Sequence, residues 1–479
     1  MKLIRWKTKI SKSMETYQNA FDTFDRDSSI NQLLDVASSF PGSSSTNPPT
    51  FIDLFAGCGG LSLGFMKAGW QGLFAVEKNS MAFHTIEHNF LSKNTDYSYN
   101  WPTWLPKTNH SVQELLKNFH GDLEGLRGKV SLIMGGPPCQ GFSLAGLRRR
   151  KDRRNEMYKA YIEMVKKVLP PLVLLENVQG ISFEFGKKLR ALKKIKVGRR
   201  PIPYSDKIIA GLRALGYAVC AQKVRAVDYG VPQLRPRFFV VGVHVGAFGQ
   251  NPISPFHLLE NSRKEFLSSK KLPTDRPVSV SEAISDLEKN ETIDSPDTKR
   301  FKHGLYGVAN GVYQQLMRGK LPKGGVPDSH RFANHEPRIV KRFAGILESC
   351  RRGVQLNERD RERFGLKKSC TVPLGSDQPS HTLTTLPDDI LHYSEPRILT
   401  VREFARLQSF PDWFQFKGKY TTGGPERKLQ CPRYTQVGNA VPPLLAEAIG
   451  KTLSGILGSA RSLQSREGMD HKKRGKVAA

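Results

Sequence analysis

The sequence predicts an α/β fold, a doubly wound parallel sheet joined to a second, smaller and irregular domain. Three observations predict it. Between residues 51 and 245 short apolar runs alternate with stretches of helical periodicity, the pattern of βαβ units feeding a parallel sheet. The first of those runs enters a glycine-rich turn, as ligand-binding strands of open sheets do. From about 246 to 396 the regularity fades into charged, Gly/Pro-containing sequence such as Lys320 to Pro327, and order returns only near Thr400.

Residues 1–49 are polar and close on the Ser/Pro-rich run Pro41 to Pro49, an N-terminal extension and linker. The catalytic unit is expected over 50–245, with strands at Phe51 to Phe55, Leu73 to Glu77, Val130 to Met134, Leu172 to Leu175 and Phe238 to Val243. Helices separate them: one shows Met157, Tyr161, Val165 and Val168 on a single face, another Ile208, Ile209, Leu212 and Leu215 before Gly216. Residues 246–396 form the second domain, and 397–458 return to the first. Thr400 and Glu403 spell a capping box that opens a helix through Gln408, and Pro442-Pro443 fits the first turn of a last helix. The basic tail 459–479 is expected to be disordered, and no internal repeat is found.

The chain carries 74 Lys and Arg against 44 Asp and Glu, a formal charge of +30, which calls for a polyanionic partner, nucleic acid first. No apolar stretch is long enough to span a membrane, and Met1 to Lys7 is not followed by a signal-peptide core, so neither membrane insertion nor export is expected. Six cysteines without C-x-x-C spacing support neither a disulfide scaffold nor a cysteine zinc site, and no metal is expected.

Chemistry gathers at the ends of the predicted strands. After Phe55, the turn Ala56, Gly57, Cys58, Gly59, Gly60 and Leu61 lets backbone approach a ligand closely and offers the N–H groups of a helix start. Glu77 closes the next strand where such folds bind a ribose, and the spacing after Phe55 is not G-x-G-x-x-G, which favours a nucleoside ligand other than NAD. Cys139 follows Pro137-Pro138 just past the third strand; most lone cysteines are small buried hydrophobes, and this setting reverses that expectation. Glu176 ends the fourth strand, where burial would keep a carboxyl protonated. Arg235 and Arg237 stand two residues apart, on one face of an extended segment, able to hold a phosphate or a base carbonyl.

With these motifs assembled, the chain resembles the DNA (cytosine-5)-methyltransferases, in the style of the bacterial modification enzymes. The match rests on six motifs in family order: Phe51 to Gly60, Gly135 to Ser143, Glu176 to Val178, Gln233 to Arg237, Arg397 to Pro411, and Tyr434 to Pro442. The resemblance implies a Rossmann-like, S-adenosylmethionine-dependent methyltransferase fold whose second domain recognises the target. Cys139 would attack C6 of a flipped-out cytosine, Glu176 would donate to its N3 edge, and Arg237, with Arg235, would hold the base or its phosphate. Phe55 would stack on the donor's adenine, Glu77 bind its ribose and Asn439 meet its amino-acid part, with Ala56, Gly57, Gly59, Gly60, Leu61 and Pro137 lining the site. The third acidic contact falls on Asp122 or on Ser111, and Lys78 stands where the family often has an aromatic residue. The basic run Leu147 to Arg154, with six cations, suits a mobile loop tracking the DNA backbone; Lys187 to Arg200 is a second such run.

The partner implied is a specific double-stranded DNA sequence, met by a monomer that serves restriction–modification or an epigenetic mark, with a cognate restriction endonuclease left open. Cytoplasmic placement at a bacterial nucleoid is expected, or nuclear placement in a eukaryote. Transfer RNA cytosine methylation is the nearest alternative, and the long segment 246–396 speaks for DNA. A non-catalytic homologue sits poorly with Cys139, Glu176 and Arg237 all present. The pattern His84 to His88 matches an H-x-x-E-H zinc site, but without a further ligand it reads as surface and packing histidines.

Overall fold

The computed structural model describes residues 47–92, 96–138, 157–177, 204–248, 254–368, 370–422, 426 and 429–458. Cys139, the basic runs Leu147–Arg154 and Lys187–Arg200, residues 1–46 and the tail 459–479 lie outside the described residues.

A six-stranded sheet forms the centre, in spatial order β2-β1-β3-β4-β7-β5. Its strands are β1 (Thr50–Leu54), β2 (Gln71–Val76), β3 (Leu132–Gly135), β4 (Leu172–Asn177), β5 (Tyr217–Arg225) and β7 (Pro236–His244); a short β6 (Gln233–Leu234) lies outside it. The first four pair in parallel. The fully parallel expectation needs correction at one strand, because β7 runs antiparallel to both β4 and β5. Strand β5 was not anticipated: Gln222, Lys223 and Arg225 make it polar, as an edge strand with one open side can be.

Side-chain alternation sorts the sheet into two layers. Phe51, Met134, Leu174, Phe239 and Val241 face one apolar cluster, while Ile52, Leu54, Ile133, Val173, Leu175 and Val240 face the other. On the second face pack α3 (Val112–Asn118), α4 (Met157–Val168) and α5 (Tyr204–Arg213). The Tyr161 hydroxyl of α4 donates to the carbonyls of Ile133 and Leu174, at 3.1 and 3.0 Å, pinning the helix across β3 and β4. On the first face lie α1 (Gly60–Lys67), the helical residues 443–458, and much of segment 254–396. Helix α1 stops because Gly69 takes φ 89° and its N–H caps the Met66 carbonyl, turning the chain into β2.

Segment 254–396 folds as helices of up to 13 residues and short strand pairs, and apolar residues from it, among them Phe256, Ile284, Tyr313 and Met317, join the cluster beneath the sheet. Helix α6 (Val401–Leu407) opens on the expected capping box: the Thr400 hydroxyl accepts from the Glu403 N–H at 3.2 Å and the Glu403 carboxylate from the Thr400 N–H at 2.7 Å. Its Arg406 is fully buried between two carboxylates, Asp286 at 2.9 Å and Asp412 at 2.6 Å, and Arg318 closes on Asp286 from the other side. The returning chain is thereby ionically tied to the segment before it. Among the described residues, no helix is long and apolar enough to cross a membrane.

Candidate active site

Two half-sites meet at one edge of the sheet. The first is built at the ends of β1 and β2. Phe55 leaves β1 at φ 59°, a left-handed conformation that costs a bulky residue on the order of 1–3 kcal/mol. Gly57, also at φ 59°, faces open space: a Cβ built there meets nothing within 4 Å. Its N–H donates to Glu77 Oε2 at 2.9 Å, and the Asn79 N–H donates to Oε1 at 2.7 Å, so both carboxylate oxygens are aimed by backbone. Burial raises the Glu77 pKa, and those N–H groups oppose the rise.

The other glycines of the turn serve packing. A Cβ on Gly59 would lie 2.6 Å from the Phe90 ring, and one on Gly60 2.5 Å from the Val441 carbonyl oxygen. The Gly60 contact draws the chain around Asn439, an exposed residue ending α7 (Arg433–Asn439), up to the start of α1. Ala56 is fixed by its N–H to the Val76 carbonyl at 3.1 Å, while the Leu61 side chain is buried in the core.

The two candidates for the third contact, Asp122 and Ser111, lie in different places. Ser111 caps α3 immediately after His110, whose N–H donates to the Glu77 carbonyl at 3.0 Å. Asp122 is exposed on a five-residue helix, and the chain just beyond it contacts Val168, before the start of β4. Ser111 thus adjoins the end of β2 that carries Glu77, and Asp122 lies on the side of the chain leading to Val168.

The second half-site spans β3, β4 and β7. Glu176 is 8% exposed and pairs with Arg237 Nε at 2.8 Å. Burial raises the Glu176 pKa against the lowering effect of Arg237 and, more weakly, Arg235. A Cβ on Gly136 would come 3.0 Å from Glu176 Oε2, and Asn177 Nδ2 donates to the Pro137 carbonyl at 3.0 Å. Glu176 therefore lies against the backbone that leads through Pro137-Pro138 to Cys139. Because β7 is reversed, its first residues reach the same edge as the last residues of β4, which is how Arg237 meets Glu176.

Arg235 departs from expectation. It is fully buried, and its guanidinium donates to the carbonyls of Gly438 at 2.7 Å and of Ala440 and Leu383 at 3.1 Å. The chain turns just before it, the Arg235 N–H returning to the Gln233 carbonyl at 2.8 Å, and its own carbonyl accepts from the Ala226 N–H at 2.9 Å. Gln233 itself, unremarked in the sequence, bonds the Leu407 carbonyl and the Gln408 side chain. Also missed was Asp53, 1% exposed, which accepts from the Ser62 hydroxyl and has its pKa raised to about 7 by burial. Both lie in recognised motifs, but only a fold tells which neighbour each meets.

The edge presents a carboxylate aimed by backbone N–H groups beside a buried carboxyl–arginine pair, and the family model for C-5 cytosine-specific DNA methylase covers residues 49–455 of the chain. The chain belongs to that family. Curated relatives agree. A type II methyltransferase, M.DdeI of Desulfomicrobium norvegicum, is 33% identical over 84% of this chain and 88% of its own length. M.AgeI of Thalassovita gelatinovora is 30% identical over 84% of this chain and 98% of its own. Among solved structures, a prophage-encoded DNA modification methyltransferase from E. coli superposes with a TM-score of 0.56 at 26% identity, covering 85% of this chain and 99% of that one.

This methylase is thus an α/β enzyme that methylates C5 of cytosine in DNA. The H-x-x-E-H pattern lies on α2 (Ser80–Phe90), with His84 and Glu87 exposed on its outer face and Thr85, Ile86 and Asn89 turned inward.

Proposed function

We propose that this methylase takes its methyl group from S-adenosylmethionine and sets it on one cytosine within a specific duplex sequence, as the modification half of a type II restriction–modification pair. What supports the assignment is the likeness to proteins named type II methyltransferases, which the chain matches over 88% and 98% of their lengths. A monomer acting on the chromosome in the compartment that holds it fits that reading, with a cognate endonuclease as the functional companion.

The residues present suit a nucleoside-bearing donor. Gly57 leaves room for a ligand, Glu77 offers oriented carboxylate oxygens to ribose hydroxyls, Phe55 is partly exposed beside them, and Asn439 stands free of burial across the turn. When bound, the donor supplies an electrophilic methyl group.

The chain's own residues then do the rest. Cys139, as thiolate, adds to C6 of a cytosine rotated out of the stack, making C5 electron-rich. Glu176 donates its proton to the N3 edge as charge enters the ring, and Arg237 holds that carboxyl in place while lending its charge to the base. After C5 is methylated, loss of the C5 proton to a base restores the ring and expels Cys139. The single observation that carries this reading is the buried Glu176–Arg237 pair against the Gly136–Pro138 backbone.

Bisulfite sequencing of DNA from a host making the protein or its Cys139→Ser variant tests it. Methylation of one sequence context by the wild type alone is expected. Unmethylated DNA from a host whose transfer RNA gains 5-methylcytosine would transfer the assignment to RNA.

A further inference from the structure

The sequence placed Arg235 with the base; the structure gives it other neighbours. Its guanidinium reaches the carbonyls of Gly438 and Ala440, the residues on either side of Asn439, and the carbonyl of Leu383. Gly438 has no room for a side chain, because a Cβ there would lie 2.3 Å from the Thr384 carbonyl oxygen. Segment 383–385 therefore lies directly on the turn that presents Asn439. That same segment continues from strand Ser380–His381, which pairs in parallel with β6. Leu234 of β6 is 45% exposed, and Thr382 donates its hydroxyl to the Leu234 carbonyl, three residues before Arg237.

We propose that Arg235 is a positioning residue that couples methyl-donor binding to DNA binding. The inference rests on the donor and substrate assigned above. One planar fork fixes the turn carrying Asn439, the segment bordering the exposed edge of β6, and the short stretch that delivers Arg237 to Glu176. A shift of segment 380–385 on contact with DNA reaches Asn439 through shared hydrogen bonds and a contact with no slack. Reciprocity requires that donor binding tighten DNA binding by the same factor. Lysine cannot replace this fork, since a single ammonium does not span three carbonyls in fixed planar geometry.

The test measures the dissociation constant of S-adenosylhomocysteine by titration calorimetry, with and without a duplex carrying the site mapped by bisulfite sequencing. For the wild type the duplex is expected to tighten binding about tenfold or more. In Arg235→Lys that ratio falls towards one, kcat falls and the donor KM rises, while circular dichroism shows a folded chain. Should Arg235→Lys not fold, Gly438→Ala is read the same way, because its methyl group forces apart the two segments that Arg235 bridges. A folded variant that keeps the wild-type ratio overturns the inference. A wild type that binds no S-adenosylhomocysteine or methylates no DNA would instead overturn the assigned donor or substrate.

Discussion

Glu176 and Asp53 are both buried carboxyls with raised pKa values, yet they bear on different properties. Glu176 faces the reacting edge, so Glu176→Gln, which keeps the shape and removes the transferable proton, is expected to lower kcat about a hundredfold or more with donor binding unchanged. The wild-type rate should decline as pH rises through the raised Glu176 pKa, and the variant should lose that limb; a pH–rate profile of both proteins decides it. Asp53 holds the base of the donor turn through Ser62, whose hydroxyl also accepts from Tyr99 at 2.6 Å. Between its ordinary value near 3.8 and about 7 the folded chain keeps a proton that the unfolded chain has released. Asp53 thus makes stability fall with rising pH by about 1.4 kcal/mol per unit across that window, and no further above it. Urea titrations at several pH values should show Asp53→Asn free of that slope; parallel curves would contradict it. Residue types and their places at strand ends were enough to single out Glu176 and Glu77 from the sequence, and the family resemblance added Asn439. The backbone carbonyls of Gly438, Ala440 and Leu383 that Arg235 meets could not be read from the sequence, because they come from segments 148 to 205 residues away.

At the scale of elements, β1 to β4 were legible because buried parallel strands are continuous apolar runs. Edge strand β5 was not, since its open side tolerates Gln222, Lys223 and Arg225. Nor does composition reveal strand direction: Phe238 to Val243 reads the same either way, and the reversal of β7 is set by what precedes it. Segment 254–396 looked irregular because, Pro337–Ser349 apart, its helices span seven residues or fewer, and its buried anchors include ions. The clearest is Arg406 between Asp286 and Asp412. Asp412→Ala leaves part of a fully buried guanidinium unpaired, and a loss of about 3–5 kcal/mol is expected. A lower urea midpoint at unchanged slope is the measurement; an unshifted midpoint would mean that the pair contributes nothing net.

Across the whole molecule, +30 of formal charge sets how the enzyme meets a polyanion. Binding to duplex DNA should weaken steeply with salt, by about a thousandfold or more between about 50 and 200 mM, as counterions released from phosphates are restored. Filter binding across that range would show it, and a flat response would assign the charge elsewhere. The ionic tie through Arg406 also limits how such an enzyme could be rebuilt. The obvious graft for a new target would exchange residues 246–396 and keep the rest. That junction separates Asp286 and Arg318 from Arg406 and Asp412, cutting through one buried charge network. A donor segment without its own carboxylate at the place of Asp286 would strand an arginine in the core of the hybrid. An exchange that keeps this network whole therefore has its natural seam after Asp412, with α6 travelling along with the segment it anchors.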